Sequence, residues 1–381
     1  MRILLVSMPS IHFFRWTEQL EHSGHEVYWF DILDGNPAKR LPWVNKINGW
    51  RLKYPNLKGR YFIKQKLPFL YKSIKPLIEN SVEKAFEKTL LELKPDVVHS
   101  FVLYISCTPI LQVMLKHKNI PWIYSSWGSD LFYFQNKPKY LKAIKRVLPR
   151  VNYLFTDCYR DTSIAKQYGF KGDVLGVFPG GGGFRLKEIE KFIKPISKRD
   201  TILIKGYQGR SGRALQVIKA LELIYKDLKK YKIVVFGAHT DIAKYINKQS
   251  LKTKLAIKVL PAEDFLSHNE ILKLMGKSLI YIGNSNSDGM PNTLLEALIQ
   301  GAFPIQSNPG GATAEVVKHG ENGMLIENYE DFNTIAYLIK TVIENPNLIK
   351  EAFKINQENI KPKFDREVIK AKVISKYNSI C

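Results

Sequence analysis

The stretch LIYIGNSNSDGMPNTLLEALIQGAFPIQS, residues 279–307, decides the fold of this chain. Its two ends, LIYIGN and FPIQS, are short apolar runs rich in Ile, Tyr and Phe, which favour β-strands. The middle, PNTLLEALIQG, has the apolar spacing of a helix and ends at a glycine. Strand, helix and strand in this order predict one repeat of a parallel α/β sheet.

The same alternation extends outward over most of the 381 residues. In the first half the expected strands are RILLVSM, HEVYWFDI, PDVVHSF, PWIYSSW and NYLFTD. In the second half they are TILIKG, KIVVFG and LAIKVLP. The polar stretch KEIEKFIKPISKRD after PGGGGF separates the halves. We therefore predict an α/β protein of two Rossmann-like domains, residues 1–190 and 191–361, facing one another across a ligand cleft. A helix at 362–381 is expected to cross back to the first domain.

Composition excludes several classes of protein. Of all residues, 45% are apolar and 12% aromatic, which argues against disorder. Cys107, Cys158 and Cys381 form no C-x-x-C pair, which argues against a zinc ribbon and a disulfide framework. The apolar run at the N-terminus is too short for a signal peptide. Residues 97–115 contain no Lys, Arg, Asp or Glu. They predict a strand, a turn and a helix start, with a membrane span as the alternative.

Positive charge is concentrated in one segment. The chain has 58 Lys and Arg against 35 Asp and Glu, a net charge of +23. Between Asp34 and Glu79 there are eleven basic residues and no acidic one. They are Lys39, Arg40, Lys46, Arg51, Lys53, Lys58, Arg60, Lys64, Lys66, Lys72 and Lys75, interleaved with aromatic residues that include Tyr61. This segment predicts an anionic partner, such as a lipid surface, a nucleic acid or a polyanionic substrate. The alternative is a solvated basic face.

The loop before the central helix of 279–307 has the features of an anion site. Pro291 is expected at the first helical position, because its missing N–H costs nothing there. The amides from Asn292 and Thr293 onward then lie at the positive end of the helix, where phosphate binds. Gly289 allows close approach of the backbone to a ligand, with Met290 beside it.

Two carboxylates and a glycine pair extend this candidate site. Glu296 lies five residues after Pro291, ~7.5 Å along the helix axis, where it could accept both hydroxyls of a ribose. Asp288 lies just outside the helix tip and could accept the hydroxyls of a sugar beyond the phosphates. Gly310 and Gly311, after the next strand, form a second loop for close approach. The alternative is an ordinary turn with exposed acids.

The pattern D-G-M-P-N-x-x-x-E-A-x-x-x-G-x-F-P-I resembles the signature of the retaining glycosyltransferases of family 4, which have the GT-B fold. That family carries Glu-x(7)-Glu, and here Asp288 stands at the first position and Glu296 at the second. The resemblance implies that Glu296 binds the nucleotide ribose and Asp288 the donor sugar. It covers most of the chain and is densest in residues 280–326.

The resemblance implies further residues. Lys205 and Arg213 are expected to bind the leaving diphosphate, with Arg210 nearby. His99, at a strand end, is expected near the donor sugar. In WGSDL, Gly128 and Asp130 match the family's His-Gly-x-Asp, while Trp127 replaces its His. His12 and Arg15, one helical turn apart, could meet the acceptor or a phosphate.

We therefore expect an enzyme that transfers a sugar with retention. Its donor is expected to be a nucleotide-sugar, UDP-linked, and its acceptor a hydroxyl of a lipid-linked or cell-surface glycan such as lipopolysaccharide or capsule. No metal and no cofactor is expected, and no nucleic-acid partner. The expected location is the inner face of the plasma membrane, as a peripheral protein. Two alternatives are an epimerase of nucleotide-linked sugars with the same fold and a non-catalytic basic protein that binds membrane or nucleic acid.

Overall fold

A computed structural model describes residues 1–35, 40–54, 59–248 and 251–380. Lys39, Lys58 and Cys381, named above, lie outside the described residues, as does the side chain of Tyr61.

The chain divides into two compact units. The first contains Met1–Asp157, Asp161–Gly182 and the segment from Lys370 onward. The second contains Cys158–Arg160 and Gly183–Ile369. The limits predicted from the sequence were residues 190 and 361.

The first unit is built on a seven-stranded parallel sheet. Its strands are β1 (Arg2–Ser7), β2 (Glu26–Asp31), β3 (Asn45–Ile47), β4 (Val97–Phe101), β5 (Trp122–Ser126), β6 (Tyr153–Thr156) and β7 (Asp173–Val177). They lie in the order β3-β2-β1-β4-β5-β6-β7. The central strands β4 and β5 are buried along their whole length, as expected of a parallel sheet covered on both faces.

Helices connect these strands. They are α1 (Ile11–Thr17), α2 (Arg60–Lys66), α3 (Pro68–Ile78), α4 (Val82–Leu93), α5 (Leu111–Lys116), α6 (Pro138–Val147) and α7 (Tyr159–Gln167).

The second unit has a six-stranded parallel sheet. Its strands are β8 (Thr201–Lys205), β9 (Lys232–Ala238), β10 (Ile257–Pro261), β11 (Ser278–Gly283), β12 (Phe303–Ser307) and β13 (Met324–Ile326). The remaining helices are α8 (Leu186–Ile189), α9 (Ala214–Leu223), α10 (Thr240–Lys248), α11 (Leu251–Lys254), α12 (His268–Lys277), α13 (Asn292–Ile299), α14 (Phe332–Glu344), α15 (Pro346–Ile355) and α16 (Arg366–Asn378).

Alternate residues of the second sheet belong to two different hydrophobic clusters. Ile202 and Ile204 pack in the cluster that includes α9 and α14. Leu203, between them, packs in the cluster that includes α12 and α13. Because successive strand residues point to opposite faces, the sheet has a core on each side.

Both sheets reverse their strand order at one point. In the order β10-β9-β8-β11-β12-β13, the chain places β8, β9 and β10 successively outward toward one edge. It then returns to the centre and places β11, β12 and β13 successively toward the other edge. The first sheet reverses in the same way between β1 and β4. In doubly wound sheets ligands bind at this switch point, beyond the carboxyl ends of the strands. The topology therefore predicts ligand sites at the loops after β8 and β11, and at those after β1 and β4.

A buried hydrogen-bond chain fixes the last helix to the first unit. Tyr377 is fully buried, and its hydroxyl lies 2.5 Å from His99 Nδ1. The indole N–H of Trp16 donates to the same hydroxyl over 3.3 Å. The other imidazole nitrogen, His99 Nε2, lies 2.8 Å from Ser125 Oγ. The tyrosine hydroxyl thus pairs directly with α1 and β4, and His99 extends the chain of hydrogen bonds to β5.

A second buried group, Asp130, lies in the loop after β5. Asp130 Oδ2 accepts the backbone N–H of Leu103 at 2.7 Å and the hydroxyl of Tyr124 at 2.5 Å. Burial raises the pKa of Asp130 to about 7, against an ordinary value of 3.8, and these two hydrogen bonds only partly oppose the rise. The carboxyl pins the π-helical turn Leu103–Cys107 that follows β4.

The predicted α/β fold is confirmed, and each strand predicted above is present. Three strands were not predicted: β3, β7 and β13. β3 and β13 have only three residues each, and β3 and β7 form the two edges of the first sheet. Three residues are too few to show a periodic pattern, and β7 is an edge strand with only one buried residue, so it lacks the apolar run of a central strand.

The uncharged stretch 97–115 folds as a strand, turns and the start of a helix, as predicted. In the described part of the chain, no helix is long and apolar enough to cross a membrane.

Replacing Tyr377 with Phe should destabilise the first unit by about 1–3 kcal/mol, because it leaves a buried imidazole nitrogen and a buried indole N–H unpaired. All six tryptophans lie at or before Trp127, so tryptophan fluorescence during urea unfolding reports this unit. Tyr54→Phe, at an exposed position of the same unit, is the control. Equal unfolding midpoints for the two variants would contradict the pairing role.

Asp130→Asn should remove a pH dependence of stability. Between about pH 4 and pH 7 the folded chain holds the Asp130 proton that the unfolded chain releases. The wild-type free energy of unfolding should therefore fall by about 1–3 kcal/mol relative to the variant from pH 5 to pH 8. The measurement is urea unfolding across this range, with Asp173→Asn, at an exposed position of β7, as the control. Parallel profiles for wild type and Asp130→Asn would refute the prediction.

Candidate functional site

Two loops meet at the switch point of the second sheet, 206–213 after β8 and 284–291 after β11. The N–H of Arg213 donates to the carbonyl of Asn284 at 2.9 Å, and the side chain of Asn284 donates back to the Arg213 carbonyl at 3.2 Å. One step further, the N–H of Asn286 donates to the carbonyl of Ser211 at 2.9 Å. These bonds join the two loops edge to edge and fix the backbone that leads into α13.

The structure corrects one detail of the predicted helix start. α13 begins at Asn292, and Pro291 is its N-cap, with φ −66° and ψ 120°. The carbonyl of Pro291 accepts the N–H groups of Leu294 and Leu295. The amides of the first turn lack partners within the helix, as at any helix start. The positive end of the dipole therefore lies at residues 291–293.

Side chains around this helix start are held in place. Asp288, half-buried, accepts the N–H of Gly289 at 3.0 Å, and Met290 is buried. The hydroxyl of Thr293 accepts a hydrogen bond from the hydroxyl of Tyr281 at 3.0 Å. Burial raises the pKa of Tyr281, so it stays a neutral donor. The predicted donor-binding residues 288–293 thus form one ordered turn.

Glu296 has a partner that the sequence did not reveal. Its carboxylate is buried on α13, and its Oε1 lies 2.7 Å from Nε2 of His268. His268 is the first residue of α12, whose start is fixed by a capping box between Ser267 and Glu270. The imidazole fixes the orientation of the Glu296 carboxylate. The S-x-x-E spacing predicts the helix start, but no local pattern pairs His268 with a residue 28 positions away.

The three cations proposed for the diphosphate differ in their surroundings. The guanidinium of Arg213 pairs with Glu330 and donates to the carbonyls of Gly209 and Gly212. Partial burial opposes ionisation of Glu330, but hydrogen bonds from Arg213 and Gln216 hold its pKa below the ordinary value. The charge of Arg213 is therefore already balanced by a carboxylate.

Lys205 is placed differently. It is the last residue of β8, half-buried at the switch point. Within the described ranges its ammonium group has no hydrogen bond and no ion pair. Arg210 is exposed on the same loop. Of the three cations, Lys205 therefore has both the position and the unbalanced charge for an anionic ligand.

The glycine pair after β12 lies in a tight turn. Gly310 and Gly311 have φ values of 64° and 86°, a region that favours glycine. A Cβ at Gly311 would meet no atom within 4 Å, so the backbone there is open to a ligand. Thr313 fixes the turn by donating to the carbonyl of Ser307 at 2.7 Å.

In the first unit the structure corrects the expectation for His99. It was predicted at a strand end, but it is the middle residue of β4, fully buried, and both its ring nitrogens are hydrogen-bonded, to Tyr377 and Ser125. Burial lowers the pKa of His99 well below its ordinary value, so the imidazole is neutral at pH 7. A side chain enclosed in this way has no surface with which to contact a sugar. Its hydrogen bond to Tyr377 anchors the last helix.

Asp130 was also expected on the acceptor or sugar side, and the structure places it in the interior. It is buried and holds the turn after β4, whereas Gly128 has φ 60° and donates its N–H to Asp157 at 2.8 Å. His12 and Arg15 both lie on α1, which follows β1 at the switch point of the first sheet. The ring of His12 lies 6.1 Å from that of Trp127.

One group of potential metal ligands exists among the described residues. Oxygen atoms of Asp157 and Asp161 and the sulfur of Cys158 lie within 4.8 Å of one another. Both carboxylates also accept hydrogen bonds from protein groups, Asp157 from Gly128 and Asp161 from the hydroxyl of Ser126.

Two family models match the chain. Residues 187–360 match "Glycosyl transferases group 1", and residues 2–158 match "Glycosyl transferase 4-like". No curated protein matches at a significant level.

Solved structures of glycosyltransferases share the fold over the full length. The Anabaena protein HepE, in complex with UDP and glucose, has a TM-score of 0.69 and 14% identity, with 100% of both chains covered. Sucrose-phosphate synthase from Thermosynechococcus elongatus has a TM-score of 0.70 and 14% identity, covering 100% of this chain and 98% of that chain. The UDP-forming α,α-trehalose-phosphate synthase from Burkholderia xenovorans has a TM-score of 0.66 and 13% identity, covering 100% and 99%. With two parallel sheets of this topology and both family matches, the chain is a group 1 glycosyltransferase of the GT-B fold.

Proposed function

We propose that this enzyme transfers a sugar, with retention, from a UDP-sugar to a hydroxyl of a lipid-linked or cell-surface glycan. The observation that carries the donor part is the arrangement at the second switch point. An unbalanced lysine ends β8 there, and the loop after the adjacent strand β11 leads to a helix start with an oriented carboxylate. The Anabaena structures with UDP and UDP-glucose, and the UDP-forming synthase, support uridine diphosphate as the leaving group.

In this proposal the diphosphate binds at the start of α13. The first-turn amides and the helix dipole stabilise the negative charge that develops as the sugar leaves. Lys205, at the end of the neighbouring strand β8, adds a positive charge. Arg213 contributes less than its position in the sequence suggested, because Glu330 competes with a phosphate for its guanidinium.

Glu296 would bind the ribose of the nucleotide. A carboxylate accepts hydrogen bonds from two vicinal hydroxyls, and its orientation is fixed by His268. Asp288, at the tip of the helix, would accept hydroxyls of the transferred sugar. Its carboxylate accepts the N–H of the adjacent Gly289, which limits its movement.

Retention follows from the resemblance to family 4 and not from a nucleophile in this chain. We assign no nucleophile: attack on the same face as the departing phosphate lets that phosphate accept the proton of the acceptor hydroxyl. The enzyme would then act by positioning and by charge stabilisation of an oxocarbenium-like transition state.

We also propose that transfer needs no metal ion. The helix start and Lys205 supply the positive charge that a divalent cation would supply in a metal-dependent transferase. The basic segment of the first unit supports a peripheral position at the inner face of the plasma membrane.

The donor site is tested by thermal stability with UDP, GDP, ADP, dTDP and CMP, each with and without EDTA. UDP should raise the melting temperature selectively, because a ligand that binds only the folded state stabilises it. Glu296→Ala should weaken UDP binding about 10- to 100-fold, the value of one or two hydrogen bonds to a charged group. Glu351→Ala, at an exposed position of α15, should behave as wild type. No selective shift, or an equal shift in the Glu296 variant, would contradict the donor site, and loss of the shift in EDTA would contradict metal independence.

Lys205→Met separates the diphosphate contact from the nucleoside contacts. Titration calorimetry should show a loss of UDP affinity of about tenfold or more, with uridine affinity unchanged, because only UDP carries the phosphates. Lys258→Met, at an exposed position of β10, is the matched control. If uridine and UDP lost affinity equally, the lysine would not act on the diphosphate.

A further inference from the structure

The first unit contains a cavity of about 660 Å³ that no step of the proposed transfer uses. It lies among the loop that follows Trp50, helices α2 and α3, and the start of α4. Five of its lining side chains are basic and one is acidic: Arg51, Lys53, Lys64, Lys75, Lys84 and Glu79. The cavity therefore carries a clear excess of positive charge.

The one carboxylate does not neutralise this excess. Glu79 is largely buried, accepts a hydrogen bond from the hydroxyl of Tyr71 and lies 4.0 Å from Lys75 Nζ. In the part of the chain that the structure describes, the other four basic side chains form no ion pair.

Two of these cations lie close to aromatic rings. The guanidinium of Arg51 lies 5.2 Å from the ring centroid of Trp50, and Lys64 Nζ lies 5.9 Å from that of Tyr71. Lys53 Nζ donates to the carbonyl of Pro76 at 2.9 Å, which ties the loop to α3. An oxyanion in the cavity would thus find basic groups already held around it.

Helices α2 and α3, which border this cavity, also expose large apolar side chains to solvent. Phe69 is 88% exposed, Leu77 69% and Phe62 63%, and Leu70 is also exposed. Phe69 and Leu77 are eight residues apart and share one face of α3, whereas Tyr71 on another face lines the cavity. Isolated exposed apolar residues are ordinary, but several bulky ones on consecutive helices beside a basic cavity mark an interaction surface.

We propose that this surface binds an anionic phospholipid in a bilayer. The headgroup phosphate occupies the basic cavity, and Phe62, Phe69, Leu70 and Leu77 enter the adjoining lipid. Charge complementarity supports this occupant, since residues 35–78 contain no acidic side chain and each basic residue near an anionic leaflet contributes about 1 kcal/mol. A nucleic acid would find the same cations and could stack its bases on Phe62 and Phe69, but Leu70 and Leu77 offer it no ring, whereas all four side chains can enter lipid. The site deepens the membrane association proposed above and is tested without measuring sugar transfer.

The test is sedimentation of the full chain with vesicles of phosphatidylcholine alone or with about one quarter phosphatidylglycerol. The first variant combines Lys53→Gln, Lys64→Gln and Lys84→Gln, all at exposed positions. Its matched control, with the same change in net charge, combines Lys226→Gln, Lys229→Gln and Lys230→Gln at exposed positions of the second unit. The first variant should bind anionic vesicles on the order of 100-fold more weakly, and the control should bind as wild type.

A second variant tests the apolar contact. Phe69→Ser with Leu77→Ser should still bind anionic vesicles at low salt but lose the binding that persists in wild type at high salt, because only the charge attraction is screened. Leu223→Ser with Tyr337→Ser, exposed positions of the second unit, is its control. Stabilisation by UDP should be unchanged in all four variants, which shows that they fold and separates failure of this inference from failure of the donor site.

Three results would overturn the inference. Equal loss of binding in the two lysine variants would mean attraction by overall charge alone. Binding of inorganic phosphate or single-stranded DNA through the same lysines, with no effect of the serine variant on vesicle binding, would mean a soluble anion in place of lipid. Absence of wild-type binding to anionic vesicles would exclude the lipid directly.

Discussion

The candidate donor site depends on the backbone pairing between the loops after β8 and β11. In a doubly wound sheet these two strands are neighbours whose connections leave on opposite sides, and ligands bind beyond their carboxyl ends. Here the backbone bonds of Ser211 and Arg213 with Asn284 and Asn286 join the two loops and fix their path. The paired loops set where α13 starts, and therefore where Glu296 lies relative to Lys205 at the end of β8.

The two units use positive charge in different ways. In the second unit a helix start and one lysine act on a small, strongly charged group, with the neighbouring arginine balanced by Glu330. In the first unit basic side chains surround an open cavity beside exposed apolar side chains. The first arrangement suits a transition state whose charge develops at one place, and the second suits a surface that carries many charges. The uneven distribution of the net charge along the chain thus has a structural basis.

Local sequence patterns predicted the architecture well, because buried parallel strands and helix starts are encoded by neighbouring residues. The turn 288–293 and Glu296 could be located for the same reason, since glycine, proline and the helix period fix their spacing. The partners of the site residues could not be predicted. His268, Glu330 and Tyr377 lie far along the chain from Glu296, Arg213 and His99, and only the tertiary fold brings each pair together.

These partners, distant along the chain, give the site residues roles that differ from those predicted. His99 at a strand end suggested a sugar contact, but burial against Tyr377 makes it an anchor of the last helix. Asp130 suggested a polar contact and is instead a buried carboxyl that holds a turn. Arg213 suggested a phosphate ligand and is balanced by a carboxylate. Residue type and position along a strand therefore identify candidates, and burial and pairing decide among them.

Amide hydrogen exchange of the wild-type chain, with and without UDP, tests the central claim most directly. If the site beyond the carboxyl ends of β8 and β11 binds the donor, UDP should slow exchange in peptides covering 205–213 and 284–296. Peptides from 40–54 and 59–84 should be unaffected. Unchanged exchange in 284–296 under saturating UDP, or protection confined to the first unit, would contradict the account.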